Sequence, residues 1–193
     1  MEILGKILNS QARVKIMRLF LLNKGKNFKL ADVVKRSRVN VAIVRKELKL
    51  LAIVGFIKKH NLDFSFNYSF KYAGEFEELL ISSDTVNKEE IATNLKKTGK
   101  IKLLLISGIF IKNRDSRVDM LIVGDRIKRS KVEEEIRKLE AEIGTELSYA
   151  VFDTKEFAYR LSMYDKLVRD ILDFPHEVIL QAKELSTQAL KKV

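Results

Sequence analysis

The sequence has no cysteine, no tryptophan, one proline and two histidines among 193 residues. The absence of cysteine excludes disulfide bridges, thiolate zinc sites and thiol catalysis. The two histidines, His60 and His176, offer too few partners for a Ser-His-Asp or histidine–metal arrangement. We therefore interpret both as surface or turn residues. The phosphate-binding patterns GxxxxGK[ST] and GxGxxG are also absent.

Long hydrophobic runs are absent as well. The longest apolar stretch, residues 103–111, is interrupted by Ser107 and Gly108, whereas about 20 apolar residues are needed to cross a bilayer. Residues 1–10 lack the apolar core of a secretory signal. Because 46% of the residues are hydrophobic and 33% are charged, the chain can bury a core. We expect a cytoplasmic protein of one or two domains.

Positive charge is in excess and is unevenly distributed. The net charge is +11. Residues 1–72 contain 16 Lys and Arg against 4 Asp and Glu, whereas residues 73–193 contain 21 against 22. Such a local excess is typical of a module that binds a polyanion. A basic surface that only aids solubility stays an alternative. Binding to a membrane surface is a second alternative, but it is disfavoured because no helix combines a basic face with a bulky aromatic one.

Three helices are predicted in the basic part of the chain. Ser10 can cap a helix over residues 12–22, and a shorter helix follows over residues 30–36. Asn40 can cap the third, which extends to about residue 52. Its predicted buried stripe has the i, i+4, i+7 spacing of an amphipathic helix and consists of Val44, Leu48 and Leu51.

Two strands follow the third helix. Residues 56–60 form a short apolar-to-basic strand, and residues 64–70 alternate strictly between aromatic and polar side chains, as a half-buried strand does. The order helix, helix, basic helix and two-stranded ribbon is that of a winged helix-turn-helix, whose third helix enters the major groove. The aromatic row could stack on unpaired bases, but we expect it to pack the ribbon on the helices.

Residues 39–59 read VNVAIVRKELKLLAIVGFIKK and resemble the recognition helix and first wing strand of winged-helix transcriptional regulators of the ArsR type. The resemblance rests on the buried stripe followed by Gly55, Phe56 and Ile57. It implies a DNA-binding surface made of Asn40, Val41, Arg45, Lys46 and Lys49 on the helix, with Lys58 and Lys59 of the ribbon contacting phosphates. The alternative is that these are ordinary solvated side chains on an amphipathic helix.

The remaining residues predict strands that alternate with helices, which is typical of an α/β layer. A helix over residues 75–97, with a break near residues 82–84 left open, links the two parts. The predicted strands are 100–106, 118–123, 145–152 and 178–180, and the predicted helices are 132–143, 154–162 and 164–172. We therefore predict a two-domain α/β protein with a winged-helix domain over residues 1–73, a linker helix over 74–99 and a second domain over 100–193.

Residues 107–125, SGIFIKNRDSRVDMLIVGD, resemble the core of the minimal nucleotidyltransferase domain of the DNA polymerase beta superfamily. In that family a Gly-Ser pair holds the triphosphate, and three acids hold the divalent metals that clamp the attacking and leaving oxygens. Residues 146–180 resemble the tail of these domains in winged-helix fusions, with Glu156, Phe157 and Arg160 in the helix after a strand.

The chain departs from the metal-binding pattern of that family. Asp119 matches the second acid, but Arg117 takes the place of the first, and the third falls near Tyr149. One carboxylate cannot position two cations, so the resemblance implies a vestigial nucleotide pocket with no catalytic residue, metal or cofactor. That pocket consists of Ser107, Gly108, Arg117 and Asp119, the Gly-Ser pair having become Ser107-Gly108 or Gly108-Ile109.

Two residues of this region have further interpretations. Asp115 would replace a missing ligand only if the loop of residues 112–117 folds back. Asp119 is expected to cap its strand or to pair with Arg117 or Arg114 rather than to bind a metal.

We expect a DNA-binding transcriptional regulator whose inactive nucleotidyltransferase-like domain acts as a ligand sensor, a dimerisation unit or both. Its expected partners are double-stranded DNA, a second copy of the chain and a nucleotide or small-molecule effector, but no membrane. Dimer contacts are predicted at Leu79, Leu80 and Ile81 on the linker helix or at Ile179, Leu180, Leu185 and Leu190 on a C-terminal helix, and packing within the domain stays an alternative role for these residues. Two alternatives stay open: an active metal-dependent nucleotidyltransferase that modifies a protein or small molecule, as an antitoxin would, and a module that binds RNA or an acidic partner.

Overall fold

The computed structural model describes residues 3–82, 86–113 and 115–185, and it confirms a mixed α/β chain with helices and two small sheets. The chain divides into two compact units. The first comprises Met1–Val86 together with Arg137–Glu146, and the second comprises Asn87–Ile136 together with Leu147–Val193. Within the described residues, no helix combines the length and the apolar character needed to cross a membrane.

The first unit contains five helices and a three-stranded antiparallel sheet among its described residues, besides the part of a later helix that it includes. In chain order these elements are α1 (Ile3–Ile7), α2 (Gln11–Leu22), β1 (Phe28–Lys29), α3 (Leu30–Ser37), α4 (Val41–Ile53), β2 (Ile57–His60), β3 (Asp63–Phe66) and α5 (Ala73–Ser82). The strand order is β1-β3-β2. The sequence predicts α2, α3, α4 and β2 to within two residues at each end, but it does not predict α1 or β1.

Side-chain caps fix where the helices of this unit begin. The Ser10 hydroxyl accepts a hydrogen bond from the Arg13 amide at 3.1 Å, and Oδ1 of the Asn40 side chain accepts one from the Ala42 amide at 2.9 Å. Each cap satisfies an amide that has no partner within its own helix. The stripe predicted on the third helix, now α4, is confirmed, because Val44, Leu48 and Leu51 are all buried.

The second strand of the ribbon is shorter than predicted, since β3 ends at Phe66 rather than continuing to residue 70. The Asn67 side chain donates to the Gly55 carbonyl at 2.6 Å, and the Phe70 amide donates to the Asn67 carbonyl at 3.0 Å. These bonds turn the chain out of the sheet. The aromatic row nevertheless packs inward, as expected, because the Phe56 ring contacts Phe66 and Phe70 edge-on at centroid distances of 5.4 and 5.3 Å.

The second unit is built on a four-stranded mixed sheet in the order β6-β5-β4-β7, in which only the β5–β6 pair is parallel. Both central strands, β4 and β5, are almost wholly buried. The elements that follow α5 are α6 (Lys88–Lys96), β4 (Lys100–Ile106), β5 (Met120–Asp125), α7 (Arg129–Ile143), β6 (Tyr149–Phe152), α8 (Thr154–Ser162), α9 (Lys166–Asp173) and β7 (Glu177–Gln181). The last part of α7 belongs to the first unit.

The predicted linker consists of two helices, α5 and α6, so the prediction of a single helix over residues 74–99 is wrong. Asn87 starts α6 by accepting a hydrogen bond from the Glu89 amide at 2.9 Å. The break that the sequence left open near residues 82–84 falls partly on residues 83–85, outside the described residues. The first half of the predicted linker, α5, belongs to the first unit, and α6 belongs to the second.

A buried arginine joins separate segments of the first unit. Arg18 on α2 is fully buried, and its guanidinium donates to the Leu80 carbonyl at 2.8 Å and to the Glu142 carbonyl at 3.3 Å. Both carbonyls lie near helix C-termini, where the last carbonyl groups lack intrahelical donors and favour a cation. Arg18 therefore caps α5 and α7 from a third helix.

Gly144 adds a second link between α2 and the segment 137–146. Its carbonyl accepts a hydrogen bond from the Asn23 side chain at 2.8 Å. With φ at +96°, Gly144 lies so close to α2 that an added Cβ would come within 2.7 Å of the Arg18 carbonyl carbon. The sequence alone places this segment with the second domain, and these contacts explain why it belongs to the first unit.

Candidate functional site

The exposed face of α4 carries three cations. Because Val44, Leu48 and Leu51 face the core, Arg45, Lys46 and Lys49 project from the other side of the helix, and all three are exposed. None of the three takes part in an ion pair within the described chain. Their charge is therefore available to an anionic partner.

The hairpin of β2 and β3 adds two more cations next to the end of α4. Lys58 pairs in register with Ser65 and Lys59 with Phe64, and both lysine side chains are exposed. Neither forms an ion pair within the described part of the chain. The Phe56 amide donates to the Leu51 carbonyl at 2.9 Å, so the start of the hairpin is fixed to the last turns of α4.

The two other predicted DNA-binding residues lie at the start of α4. Asn40 is exposed and caps the helix, and Val41, the first helical residue, is 43% exposed. The structure therefore brings Asn40, Val41, Arg45, Lys46 and Lys49 together on one short helix. We call this group with Lys58 and Lys59 the basic face.

A buried carboxylate behind this face was not predicted. Glu47 lies on the inner side of α4, where it accepts hydrogen bonds from the Ser10 hydroxyl at 2.7 Å and from the Arg13 guanidinium at 2.8 Å. These bonds hold α4 against the start of α2. The signal is present in the sequence, because Glu47 lies three residues after Val44 and therefore on the buried stripe.

In the second unit, Asp119 is held by backbone amides on two sides. Its Oδ1 accepts a hydrogen bond from the Ile109 amide at 2.9 Å, and its Oδ2 accepts one from the Ser148 amide at 2.8 Å. The carboxylate therefore connects the turn after β4 to the segment that precedes β6. This arrangement gives Asp119 a structural role, close to the strand-capping role expected from the sequence.

The predicted pocket residues beside Asp119 form a tight turn. Ser107 is buried, and its hydroxyl donates to the Val118 carbonyl. Gly108 has φ at +56°, and an added Cβ would lie 2.1 Å from Asp119 Oδ1. Glycine is therefore required here both by the backbone conformation and by the close approach of the carboxylate.

Arg117 does not pair with Asp119, so that expectation is wrong. Its guanidinium forms an ion pair with Asp170 of α9, which leaves the Asp119 oxygens to the two amides. The other expected partner, Arg114, lies outside the described residues.

Asp115 also fails to supply a replacement ligand. It is exposed, and its amide donates to the Asn113 side chain at 2.9 Å. In residues 3–82, 86–113 and 115–185, no three His, Asp or Glu side chains converge so that they could hold a metal ion.

Lys102 of β4 forms ion pairs with two carboxylates of the second unit, Asp125 and Glu184. Lys102 Nζ lies 2.7 Å from the Glu184 carboxylate and 3.0 Å from the Asp125 carboxylate. The hydrogen bond to Glu184, and then that to Asp125, raise the pKa of Lys102, and the same lysine lowers the pKa of Glu184. All three groups favour their charged forms, so none is poised as a general acid or base near neutral pH.

Comparison of the chain with protein-family models, with curated proteins and with solved structures finds no match. The two resemblances noted in the sequence therefore stay predictions.

Proposed function

We propose that this chain is a transcriptional regulator that binds duplex DNA through the basic face. The observation that carries the proposal is the division of α4 into two sides. One side is buried in the core, and the other presents Arg45, Lys46 and Lys49, which have no ion-pair partner among the residues that the structure describes. Cations so placed can replace the counterions of DNA phosphates, and the release of those counterions drives binding.

The geometry of the first unit also suits a winged helix-turn-helix. A three-residue turn, residues 38–40, joins α3 to α4, and turns of three or four residues are typical of this motif. In the proposed complex α4 lies in the major groove, which is wide enough for a helix. The β2–β3 hairpin then places Lys58 and Lys59 against the flanking phosphates.

For the second unit we propose a role in effector binding, dimerisation or both, without nucleotidyl transfer. Dimer contacts through α5, which belongs to the first unit, also stay part of the proposal. There Leu79 is exposed and Ile81 half-buried, but Leu80 is fully buried and is no candidate. Ile179 and Leu180 are half-buried in β7 rather than on a C-terminal helix, and Leu185 is half-buried in a short 3₁₀ turn. Leu190 lies outside the described residues.

The experiment compares two triple variants of equal net charge. The test variant replaces Arg45, Lys46 and Lys49 by alanine, and the control replaces Lys128, Arg129 and Lys131, which are exposed on the second unit. Binding to a fluorescent random-sequence duplex is measured by anisotropy over a range of salt, and circular dichroism verifies folding. The slope of log K against log salt should become shallower by about 2.7 in the test variant, at about 0.9 for each lost phosphate contact.

Two outcomes would contradict the proposal. Equal loss of binding in both variants would mean that net charge alone drives binding, and undiminished binding by the test variant would remove α4 from the interface. Competition with structured RNA addresses the remaining alternative. We expect duplex DNA to compete better, because the deep, narrow major groove of A-form RNA does not admit a helix.

A further inference from the structure

The first turn of α4 presents apolar side chains to solvent. Val41 is 43% exposed, Ala42 is exposed and Ile43 is 46% exposed. The cations of the same helix begin only one turn later, at Arg45. Side chains thus change from short and apolar to long and charged along the exposed face.

This order is informative because the two ends of a recognition helix have different tasks. Its N-terminal residues contact base edges, while later cations reach the phosphates that position the protein. At about 100° per residue, Ala42 lies at the centre of the exposed face of α4, with Val41 and Arg45 together along one side of it. The residues nearest the base edges in the proposed complex are therefore aliphatic.

The amide side chain at this end of α4, that of Asn40, already forms a hydrogen bond within the helix. Asn40 Oδ1 accepts the Ala42 amide at 2.9 Å as the helix cap. Reading an adenine requires both the oxygen and the nitrogen of an asparagine side chain at once. The cap thus removes Asn40 from bidentate base reading and leaves its NH₂ group free to contact a phosphate.

Aliphatic side chains have one matching feature in the major groove, the C5-methyl group of thymine. Against any other base edge they would cover a donor or acceptor without replacing its hydrogen bond to water, which is unfavourable. Resting on the DNA binding proposed above, we propose that Val41 and Ala42 contact thymine methyl groups, so that the preferred duplex sites carry thymine opposite the first turn of α4.

The test removes the methyl groups alone. Sites are first selected from a random duplex pool with the full chain, and the best site is then synthesised with deoxyuridine in place of thymidine. We expect the affinity of the unaltered chain to fall about fourfold for each contacted methyl group, as the burial of one carbon-sized apolar group implies.

Two valine variants identify the residue responsible. Val41→Ala should reduce the difference between thymidine and deoxyuridine sites, because it withdraws the methyl groups that cover the thymine. Val54→Ala is the matched control, since Val54 is 53% exposed at the opposite end of α4, and it should keep the full difference. Both variants alter exposed positions, so the chain should stay folded.

The outcomes separate this inference from the function on which it rests. If the chain binds duplexes through the basic face but complete replacement of thymidine changes affinity less than twofold, the inference alone is overturned. Equal behaviour of the two valine variants would overturn it as well. If no salt-sensitive duplex binding is found, the proposed function fails first, and the inference fails with it.

Discussion

Asp119 shows how much a single side chain's surroundings decide about its role. Its two oxygens accept backbone amides that lie 39 residues apart in sequence, those of Ile109 and Ser148. A metal ligand needs lone pairs directed towards a shared site, together with neighbouring carboxylates. The resemblance singles out Asp119 as the one acid that matches the metal-binding pattern, but only the folded chain shows that its two oxygens accept the amides of the turn and of the segment before β6.

We therefore expect Asp119→Asn to destabilise the second unit. An asparagine offers one acceptor and one donor, so one of the two amides would face an N–H group instead of an oxygen. The expected loss in the free energy of unfolding is about 1–3 kcal/mol, measured by urea denaturation. Asp115→Asn is the control and should leave stability unchanged, because no backbone amide of residues 3–82, 86–113 and 115–185 binds the exposed Asp115 carboxylate.

The same variant addresses the nucleotidyltransferase alternative. We expect no transfer of label from ATP in the presence of Mg²⁺ or Mn²⁺ by the unaltered chain. Transfer that Asp119→Asn abolishes without any change in stability would contradict the structural role and restore catalysis as the function of this unit.

At the scale of helices and strands, the sequence predicts an element correctly where the contacts that define it join residues close together in the chain. The caps at Ser10 and Asn40 and the stripe of α4 depend on residues within a few positions of each other, and all are confirmed. The strand predicted over residues 64–70 was too long, because its end depends on a hydrogen bond from Asn67 to the distant Gly55. The exposure of the cations on α4 follows from the buried stripe of the same helix. The role of Glu47 could not be predicted in this way, because it depends on hydrogen bonds from Ser10 and Arg13 at the start of α2.

The start of α9 gives an element-scale prediction about pH. Hydrogen bonds to Asp165 from the amides of Val168 and Leu167, together with the charge of Arg160, hold the pKa of this carboxyl below its ordinary value of 3.8. The folded state therefore binds the proton less tightly than the unfolded state. The stabilisation is complete above pH 3.8 and is lost as the pH falls through the lowered pKa.

Urea denaturation at pH 7 and pH 3 tests this expectation. Asp165→Asn should be less stable than the unaltered chain at pH 7, and the difference between the two should be smaller at pH 3, because the stabilisation declines once the pH falls below 3.8. Asp165→Ala removes the oxygen that caps the helix, whereas asparagine keeps one, so we expect Asp165→Ala to be less stable than Asp165→Asn at both pH values. Curves for the unaltered chain and Asp165→Asn that stay parallel down to pH 3 would exclude this role of Asp165.

For the whole molecule, the net charge of each structural unit differs from the net charge counted along the sequence. The linear count places the entire positive excess in residues 1–72, but the first unit also includes acidic residues of α5 and of the segment 137–146. It holds 18 Lys and Arg against 11 Asp and Glu, or +7, while the second unit holds 19 against 15, or +4. The case for DNA binding therefore depends on the cations of the basic face, which are exposed and have no ion-pair partner in the described part of the chain, and not on the excess of positive charge in residues 1–72.

The discontinuous first unit leads to a prediction about truncation. A chain shortened to residues 1–86 removes the Glu142 and Gly144 carbonyls that accept hydrogen bonds from Arg18 and Asn23. Arg18 would then lose part of its compensation for burial, which is costly for a charged group. We expect lower thermal stability and a broader transition by circular dichroism than in the full chain.

The matched control joins residues 1–86 through a flexible linker to residues 137–146, which restores both carbonyls. This variant should unfold at a higher temperature and more sharply than the truncated chain. If residues 1–86 alone unfold as sharply and at as high a temperature as the linked variant, the segment is not needed for the stability of the first unit.

The position of Gly144 against α2 also has a consequence for biosynthesis. The ribosome completes residue 86 about 60 residues before it reaches the end of the segment that finishes the same unit, an interval of roughly 3 to 12 seconds at 5–20 residues per second. During that interval Arg18 and Asn23 of the first unit lack the Glu142 and Gly144 carbonyls that accept their hydrogen bonds in the folded chain. The nascent chain therefore exposes an incomplete core while the first part of the other unit, residues 87–136, is being translated, and chaperones have their best opportunity to bind it then.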